Sequence, residues 1–510
     1  MQYAVTGCEM KEYDKKTISR IGIPALVLME RAALETVRAL LKEKEIFRTV
    51  LILAGTGNNG GDGLAVGRML AAHGFQVTFF LVGDRERLSK ETAQQRDILL
   101  NLGFSIQDKL ENQEYDIVID ALFGIGLSRE IGGEYCELVS QVNAMGRAGA
   151  FICSVDIPSG ISADTGRIMG CAVRADMTVA FAFAKRGELL YPGRDYVGKL
   201  VVCDIGIPEV LAKRQKPETF FYEKEDIVKK LPPRTPWGNK GTFGKVLLIA
   251  GSRDMCGACI LAGKSIFRTG AGMVKILSPE CNREILQSTL PEAILYSYQD
   301  MPEKEQICKS LEWADAIVAG PGIGTAKAAY ELVYACIESG LPMTLDADAL
   351  NLIGANHELA ELLQKRDGGN VVMTPHPGEL SRLAGMDIND YKQDRMGMIR
   401  EVLGIYSCVI ASKDAVTMVV DPKEKEWYIN TSGNDGMAVA GSGDVLAGII
   451  GALVAQKMTG FEAASLGVFL HGTAGDIACK VKGKYGMTAM DIIDQLPAAM
   501  GAEMGESVRK

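Results

Sequence analysis

The chain has 510 residues, 47% hydrophobic and 23% charged, with 57 glycines, which is too long for one ordinary core and too apolar for a disordered chain. A formal net charge of −9 without any long Lys/Arg run argues against a nucleic-acid partner. Small anions are not excluded, because backbone N–H groups bind phosphate on acidic proteins too.

The opening stretch, MQYAVTGCEMKEYDKK, shows no apolar signal core, and no apolar run reaches membrane-spanning length. The expectation is a cytoplasmic protein without a membrane partner. Its twelve cysteines are scattered and read as reduced thiols. One Cys-x-x-Cys occurs at Cys256 and Cys259. It lacks a second pair, and four histidines in the whole chain do not favour zinc.

Short apolar runs then alternate with helical patterns. Strands are expected at Val50–Ala54, Val77–Val82, Ile117–Ala121, Phe151–Val155, Met177–Ala182 and Leu200–Asp204. Helices are expected between them, at Leu64–Gly74 and Lys90–Leu102. This is the pattern of a parallel sheet covered on both faces. A polar stretch ending in Leu231-Pro-Pro-Arg-Thr-Pro236 reads as a linker. Alternation resumes at Lys245–Ala250 and continues through Met273–Leu277, Ala316–Ala319, Met343–Leu345, Val371–Met373 and Cys408–Ala411. A hairpin follows, Val416–Val420 with Trp427–Ile429, and a helical region runs from Gly443 onward. The fold class is α/β in two domains, residues 1–215 and 238–505, joined by a linker at 216–237.

The sharpest feature of the first half is Gly55-Thr-Gly-Asn-Asn-Gly-Gly-Asp-Gly63, after a strand and before a helix. Glycines there let backbone N–H groups turn toward an anion at a helix N-terminus. The spacing is not a dinucleotide fingerprint, and there is no P-loop lysine. Asp120 and Asp156 stand at two later strand ends, the second followed by Ser159. Strand ends of an open α/β sheet converge on its binding crevice. An Asn, Asp and Ser set there suits a hard cation.

Three motifs, Gly-Asn-Asn-Gly-Gly-Asp-Gly, Asp120-Ala-Leu-Phe-Gly-Ile-Gly126 and Asp156-Ile-Pro-Ser-Gly160, occur in this order. Over residues 5 to 210 the chain thereby resembles the NAD(P)H-hydrate epimerases, which implies a Rossmann-like three-layer αβα domain. By motif position the resemblance puts substrate on Asn58, Asn59, Gly60, Gly61 and Asp62. The nucleotide falls on Gly124, Ile125, Gly126, Leu127, Ser128, Arg129, Glu130 and Tyr135. A potassium ion falls to Asn59, Asp120 and Ser159, and the acid–base role to Asp156. Ile125 departs from the family pattern, where Thr stands.

In the second half, Asn434-Asp-Gly-Met-Ala-Val-Ala-Gly-Ser-Gly-Asp444 leads into a helix. Gly-Ser-Gly at a helix start makes an anion hole, with Asp444 placed to take a proton from an attacking hydroxyl. The motif resembles the Gly-Ala-Gly-Asp signature of ribokinase-like kinases, with Ser442 for Ala. Further segments narrow the match to the NAD(P)H-hydrate dehydratases across residues 225 to 500. They are Lys240-Gly-Thr-Phe-Gly-Lys-Val246, Gly257-Ala258, Gly270-Ala-Gly272, Ala319-Gly-Pro-Gly-Ile-Gly324, Asp346-Ala-Asp-Ala-Leu350, Thr374-Pro-His-Pro-Gly-Glu379 and Lys413-Asp-Ala-Val-Thr417.

The resemblance implies a ribokinase-like αβα domain in which Ala258, Gly322 and His376 meet hydrated NADH or NADPH. Lys413, Asp414, Ala415, Val416, Thr417 and Gly443 would hold the adenine nucleotide, and Asp444 would be the base. It also implies magnesium, with ADP as phosphoryl donor in bacterial members and ATP in eukaryotic ones. Read without the resemblance, the second half could be an ordinary small-molecule kinase and the first a silent binding module. Leu26–Leu28 suits either the core or a contact in a homo-oligomer.

Overall fold

A computed structural model describes residues 1–43, 48–107, 109–110, 113–208, 210–211 and 216–501. The chain forms two compact units that divide between Thr219 and Phe220.

In the N-terminal unit seven parallel strands form one sheet. They are β1 (Thr49–Ala54), β2 (Gln76–Leu81), β3 (Ile106–Gln107), β4 (Ile117–Ala121), β5 (Phe151–Val155), β6 (Met177–Phe181) and β7 (Lys199–Cys203), in the order β3-β2-β1-β4-β5-β6-β7. The order reverses between β1 and β4, where the connections leave for opposite faces and open a crevice. Strands such as Ile117–Ala121 are buried throughout, because helices cover both faces of the sheet. The helices that matter here are α1 (Gly7–Lys16), α2 (Ala25–Glu43), α3 (Asn58–Ala72), α4 (Lys90–Asn101) and α5 (Glu134–Arg147).

The C-terminal unit has strands β8 (Lys245–Ile249), β9 (Met273–Pro279), β10 (Ile294–Tyr298), β11 (Ala316–Ala319), β12 (Met343–Leu345), β13 (Val371–Met373), β14 (Val409–Ser412), β15 (Met418–Val420) and β16 (Trp427–Ile429). Their order is β10-β9-β8-β11-β12-β13-β14-β15-β16. All neighbours run parallel except the hairpin, which pairs Ile410 with Val420 and Val420 with Trp427 antiparallel. The helices used below are α6 (Cys256–Arg268), α7 (Pro377–Ala384), α8 (Ser442–Ala455), α9 (Gly460–Lys482) and α10 (Ala489–Ala499). In α8 every residue from Val445 to Ala455 is buried, as an all-round apolar helix requires. It packs between α6, α9 and the central strands.

Four expectations need correction. The helix expected at Leu64–Gly74 is α3, which begins earlier, at Asn58, because its glycines pack against the preceding loop. A Cβ on Gly60 would lie 1.8 Å from the Gly55 carbonyl oxygen. The 216–237 stretch is not a bare linker. It carries a strand, Thr219–Phe221, and a helix, Lys224–Lys230. Its few aromatics decide this: Phe220 and Tyr222 sit 5.7 and 4.8 Å from the Tyr428 ring, a contact that charge and proline content conceal. Strand β10 was missed, being a half-exposed edge strand with no clean alternation. Finally, the cysteines are not all free thiols. Cys136 and Cys171 form a disulfide with Cα atoms 6.0 Å apart, a proximity across 35 residues that spacing does not encode. No helix among the described residues is long and apolar enough to cross a membrane.

Candidate active sites of the two units

In the N-terminal unit the strand ends and the start of α3 enclose a cavity of about 560 Å³. Residues Gly55–Asn59 form one wall, so the amide end of α3 faces the cavity. The loop is held from behind, where the Thr92 hydroxyl donates to the Gly57 carbonyl at 2.9 Å and the Ser89 N–H to Thr56 at 2.9 Å. Gly124 to Arg129 and Tyr135 form another wall, with the Tyr135 ring 5.0 Å from Phe123. Lys11 and Asp14 of α1 also line it, as do Asp62 and Asp156.

Sheet register builds the polar cluster beside this cavity. Asp120 pairs with Ser154 on β5, and the Ser154 hydroxyl donates to its carboxylate at 2.7 Å. The Ser159 N–H and hydroxyl donate to the same carboxylate at 2.9 and 2.5 Å. The Phe123 N–H donates to the Ser159 hydroxyl at 2.9 Å. Burial pushes the Asp120 carboxyl above its ordinary range although these hydrogen bonds oppose it. Asn59 abuts Gly124 at the edge of this cluster, and its buried Nδ2 position has no hydrogen-bond partner among the described residues. An unpaired buried amide costs free energy unless a ligand answers it, and a side-chain amide can present oxygen there instead of nitrogen. One carboxylate with an amide and a hydroxyl is an oxygen donor set for a hard cation. Asn59, Asp120 and Ser159 are thus residues that could hold such a cation.

Asp156 follows β5 with φ of +67°, a conformation rare outside glycine and a local strain. Its Oδ1 accepts from the Phe181 N–H at 3.1 Å and from the Lys185 ammonium. Lys185 is fully buried and is pinned in turn by parallel pairing with Val5. Burial, then the charge of Asp156, raises Asp14 to about 6 and Asp62 well above the ordinary carboxylate range. Asp14, Asp62 and Asp156 thus each line the cavity, from three different elements, with the buried Lys185 ammonium held against Asp156.

In the C-terminal unit, the ends of β11, β12, β13 and β14 align through the pairs Ala319 with Leu345, Leu345 with Met373, and Met373 with Ile410. Asp346, Thr374 and Lys413 follow those ends. The Thr374 hydroxyl donates to Asp346 Oδ1 at 2.7 Å, and the Lys413 ammonium pairs with the same oxygen. Gly320, at φ of +126°, lets the chain pass: a Cβ there would lie 1.7 Å from the Asp346 carbonyl oxygen. The N-terminus of α8 meets this group, since a Cβ on Gly443 would stand 3.2 Å from Lys413 Nζ.

Asp444, in the first turn of α8, is raised to about 7, first by burial and then by Asp346, while Lys413 opposes the rise. Burial works against the Lys413 ammonium, yet Asp346, Glu379 and Asp444 hold it above its ordinary range. Burial lowers His471 to about 4, so a neutral imidazole lies 3.3 Å from the Ser442 hydroxyl. The arrangement is an anion hole, a fixed cation and a carboxylate that changes charge near neutrality. It can deprotonate a hydroxyl beside a phosphoryl group.

Residues 25–187 match the family described as YjeF-related protein N-terminus, and residues 246–498 match NAD(P)H-hydrate dehydratase. The bifunctional NAD(P)H-hydrate repair enzyme of Thermofilum pendens is 34% identical, covering 97% of this chain and 95% of its own. The chain belongs to the bifunctional NAD(P)H-hydrate repair enzymes. The Escherichia coli relative of that name is 33% identical over 97% of this chain and 93% of its own. A ribokinase-like superfamily protein from Enterococcus faecalis matches in structure with a TM-score of 0.50 and 26% identity. It covers 56% of this chain and 96% of that one. The fold is α/β in both units, ribokinase-like in the second.

Against the repair-enzyme motifs, Asn58, Asn59, Asp62, Gly124–Arg129, Tyr135 and Asp156 line the first cavity. Gly60 and Gly61 are buried in the first turn of α3, Glu130 is exposed outside the cavity, and Asp120 and Ser159 are buried off its wall. Of Leu26–Leu28, Leu28 is buried and lines the cavity, whereas Val27 is exposed. In the second unit, Gly322 and Ala258 touch, with a Cβ on Gly322 falling 3.0 Å from that of Ala258. His376 caps α7, its Nδ1 accepting from the Gly378 and Glu379 N–H groups at 3.0 and 3.3 Å. Asp414 and Ala415 are exposed at the turn. Val416 and Thr417 are buried, their carbonyls engaged by Arg395 and by the Asn430 N–H.

Sequence reasoning passed over Lys11, Asp14, Lys185, Asp346 and Glu379 as site residues. A lysine directly after an apolar strand run was a usable signal for Lys185, and the strand-end position for Asp346. Nothing local distinguished Asp14 within the charged run Glu12–Lys16.

Proposed function

We propose that this protein repairs hydrated NADH and NADPH, epimerising the R and S forms in its N-terminal unit and dehydrating the S form in its C-terminal unit, in the cytoplasm. The carrying observation is Asp444, a carboxylate of pKa about 7 in the first turn of α8 beside the Lys413–Asp346 pair. In the dehydratase step Asp444 takes the proton from the C6 hydroxyl as its oxygen attacks the β-phosphoryl group of ADP. AMP leaves, and phosphate then departs from C6 with loss of a ring proton, restoring the dihydronicotinamide. The amides of Ser442–Asp444 and the Lys413 ammonium face the charge that develops.

Magnesium would arrive on the nucleotide phosphates. Magnesium bound there supplies charge neutralisation during phosphoryl transfer. In the epimerase unit Asp156 exchanges a proton with the C6 oxygen while Lys185 holds it in place. The start of α3, with Lys11 and Arg129, faces the substrate phosphates. Potassium at Asn59, Asp120 and Ser159 would fix the loop that carries them.

Racemic hydrated NADPH, incubated with ADP or ATP, tests both halves. Full recovery of NADPH absorbance is expected with one of the two donors. Consumption of only half the pool would refute the epimerase reading, and consumption of none with either donor would refute the dehydratase reading.

A further inference from the structure

Inversion at C6 has a geometric demand that one acid–base group does not meet. The hydroxyl must leave one face of the ring, and water must arrive on the other. A lone carboxylate beside one face returns the same oxygen to the same side. Resting on the epimerase reading, we propose that Asp14 is a second catalytic acid–base group, serving the face of the nicotinamide ring opposite to Asp156.

Asp14 reaches the cavity from a different element. It lies on α1, whereas Asp156 follows β5, and both line the same 560 Å³ space. Helix α1 is fixed firmly for an element so near the chain start. The Gly7 N–H donates to Asp164 at 2.7 Å, and the Tyr13 ring packs 5.2 Å from Phe183. A capping box joins Thr6 and Glu9, with the Thr6 N–H donating at 2.7 Å. The strand just before it pairs Val5 with Lys185, the partner of Asp156, so the two carboxyl groups hang from one framework.

The carboxyl group of Asp14 makes no hydrogen bond to protein among the described residues, although it is only half-exposed. A polar group left so beside a cavity awaits a ligand. Asp156 differs: both its protein hydrogen bonds fall on Oδ1, which leaves Oδ2 for the substrate. The local charges separate their roles. Among the described residues the Lys185 ammonium pairs with Asp156 alone, while Asp14 has no such partner and is raised to about 6 by burial and by Asp156. One group can thus hold a proton while the other lacks it.

The proton balance closes. Neutral Asp14 gives its proton to the C6 hydroxyl, the C6–O bond breaks as the ring nitrogen lone pair forms an iminium, and water departs. A second water attacks the opposite face of C6 and yields its proton to the Asp156 carboxylate. The reverse inversion uses the pair in exchanged roles and restores both protonation states. Asp62 is the competing third carboxyl, but it belongs to α3, whose amide end takes the phosphates.

The test uses the full-length protein and the R epimer without nucleotide, following conversion to the S epimer by chiral chromatography. Asp14→Asn is expected to lower kcat at least ~100-fold with KM changed less than ~3-fold, and Asp14→Glu to recover part of the loss. The wild-type rate should change with pH near 6, and that dependence should vanish in Asp14→Asn. A variant-free readout is the reaction in ¹⁸O-water, where each inversion should bring one solvent oxygen into the product. Asp14→Asn with kcat within ~3-fold of wild type would overturn the proposal. So would inverted product that keeps its original oxygen, because the ring would then have opened at the nitrogen. Wild-type protein that fails to invert at all would instead remove the epimerase reading itself.

Discussion

Asp444 gives the most exacting prediction, because as the proposed general base its ionisation would set the rate. Burial and the charge of Asp346 raise its carboxyl to about 7, with Lys413 opposing the rise. A general base works only when deprotonated. Half of the free enzyme would be competent at pH 7, and about one hundredth at pH 5, following a single titration. The profile of kcat/KM reports ionisation in the free enzyme, so it should fall tenfold per pH unit on the acid side. It should level off above about pH 8. The assay is the return of dihydronicotinamide absorbance from pure S epimer with saturating ADP and magnesium. Asp444→Asn should cost about 10²–10⁴-fold. Glu379 is also raised to about 7, chiefly by burial, and faces Lys413, so it could imitate this limb. Glu379→Gln must therefore keep the acid limb if the assignment is right. A flat profile from pH 5 to 8, or a limb that disappears with Glu379 rather than Asp444, would refute the reasoning.

Two further outcomes follow from the N-terminal unit. Lys185→Met removes the partner of Asp156 at a fully buried position, and should destabilise that unit by about 3–5 kcal/mol, since a buried charge is left uncompensated. Urea unfolding followed by circular dichroism measures this, and a loss under about 1 kcal/mol would contradict the buried pair. Replacing potassium with choline should slow epimerisation. Ser159→Ala should raise the potassium concentration for half-maximal rate about 10- to 100-fold, and an unchanged potassium response would remove that ion from the Asp120 cluster.

Much of the fold was legible because parallel strands buried on both faces must be apolar runs. Ile117–Ala121, Phe151–Val155, Ala316–Ala319 and Val371–Met373 stand where the apolar runs placed them. The edge strand Ile294–Tyr298 escaped because one half-exposed ladder imposes no such pattern. The site divides the same way. Asp120, Asp156 and Asp444 were readable from motif and strand-end position. Asp14 and Lys11 were not, since a charged helix face looks alike whether it meets water or a cavity.

Sequence alone determined the two α/β halves, the glycine-rich helix starts and the ordered motifs, because periodicity and backbone freedom are local properties. Only tertiary structure decided which charges meet. The Lys185–Asp156 pair spans 29 residues, the Lys413–Asp346 pair spans 67, and the Cys136–Cys171 bond spans 35. Those meetings depend on strand order and register, which set a side chain's neighbours, its burial and hence its charge at a given pH. The carboxyl of Asp444 takes a proton near neutrality only because the fold buries it beside Asp346.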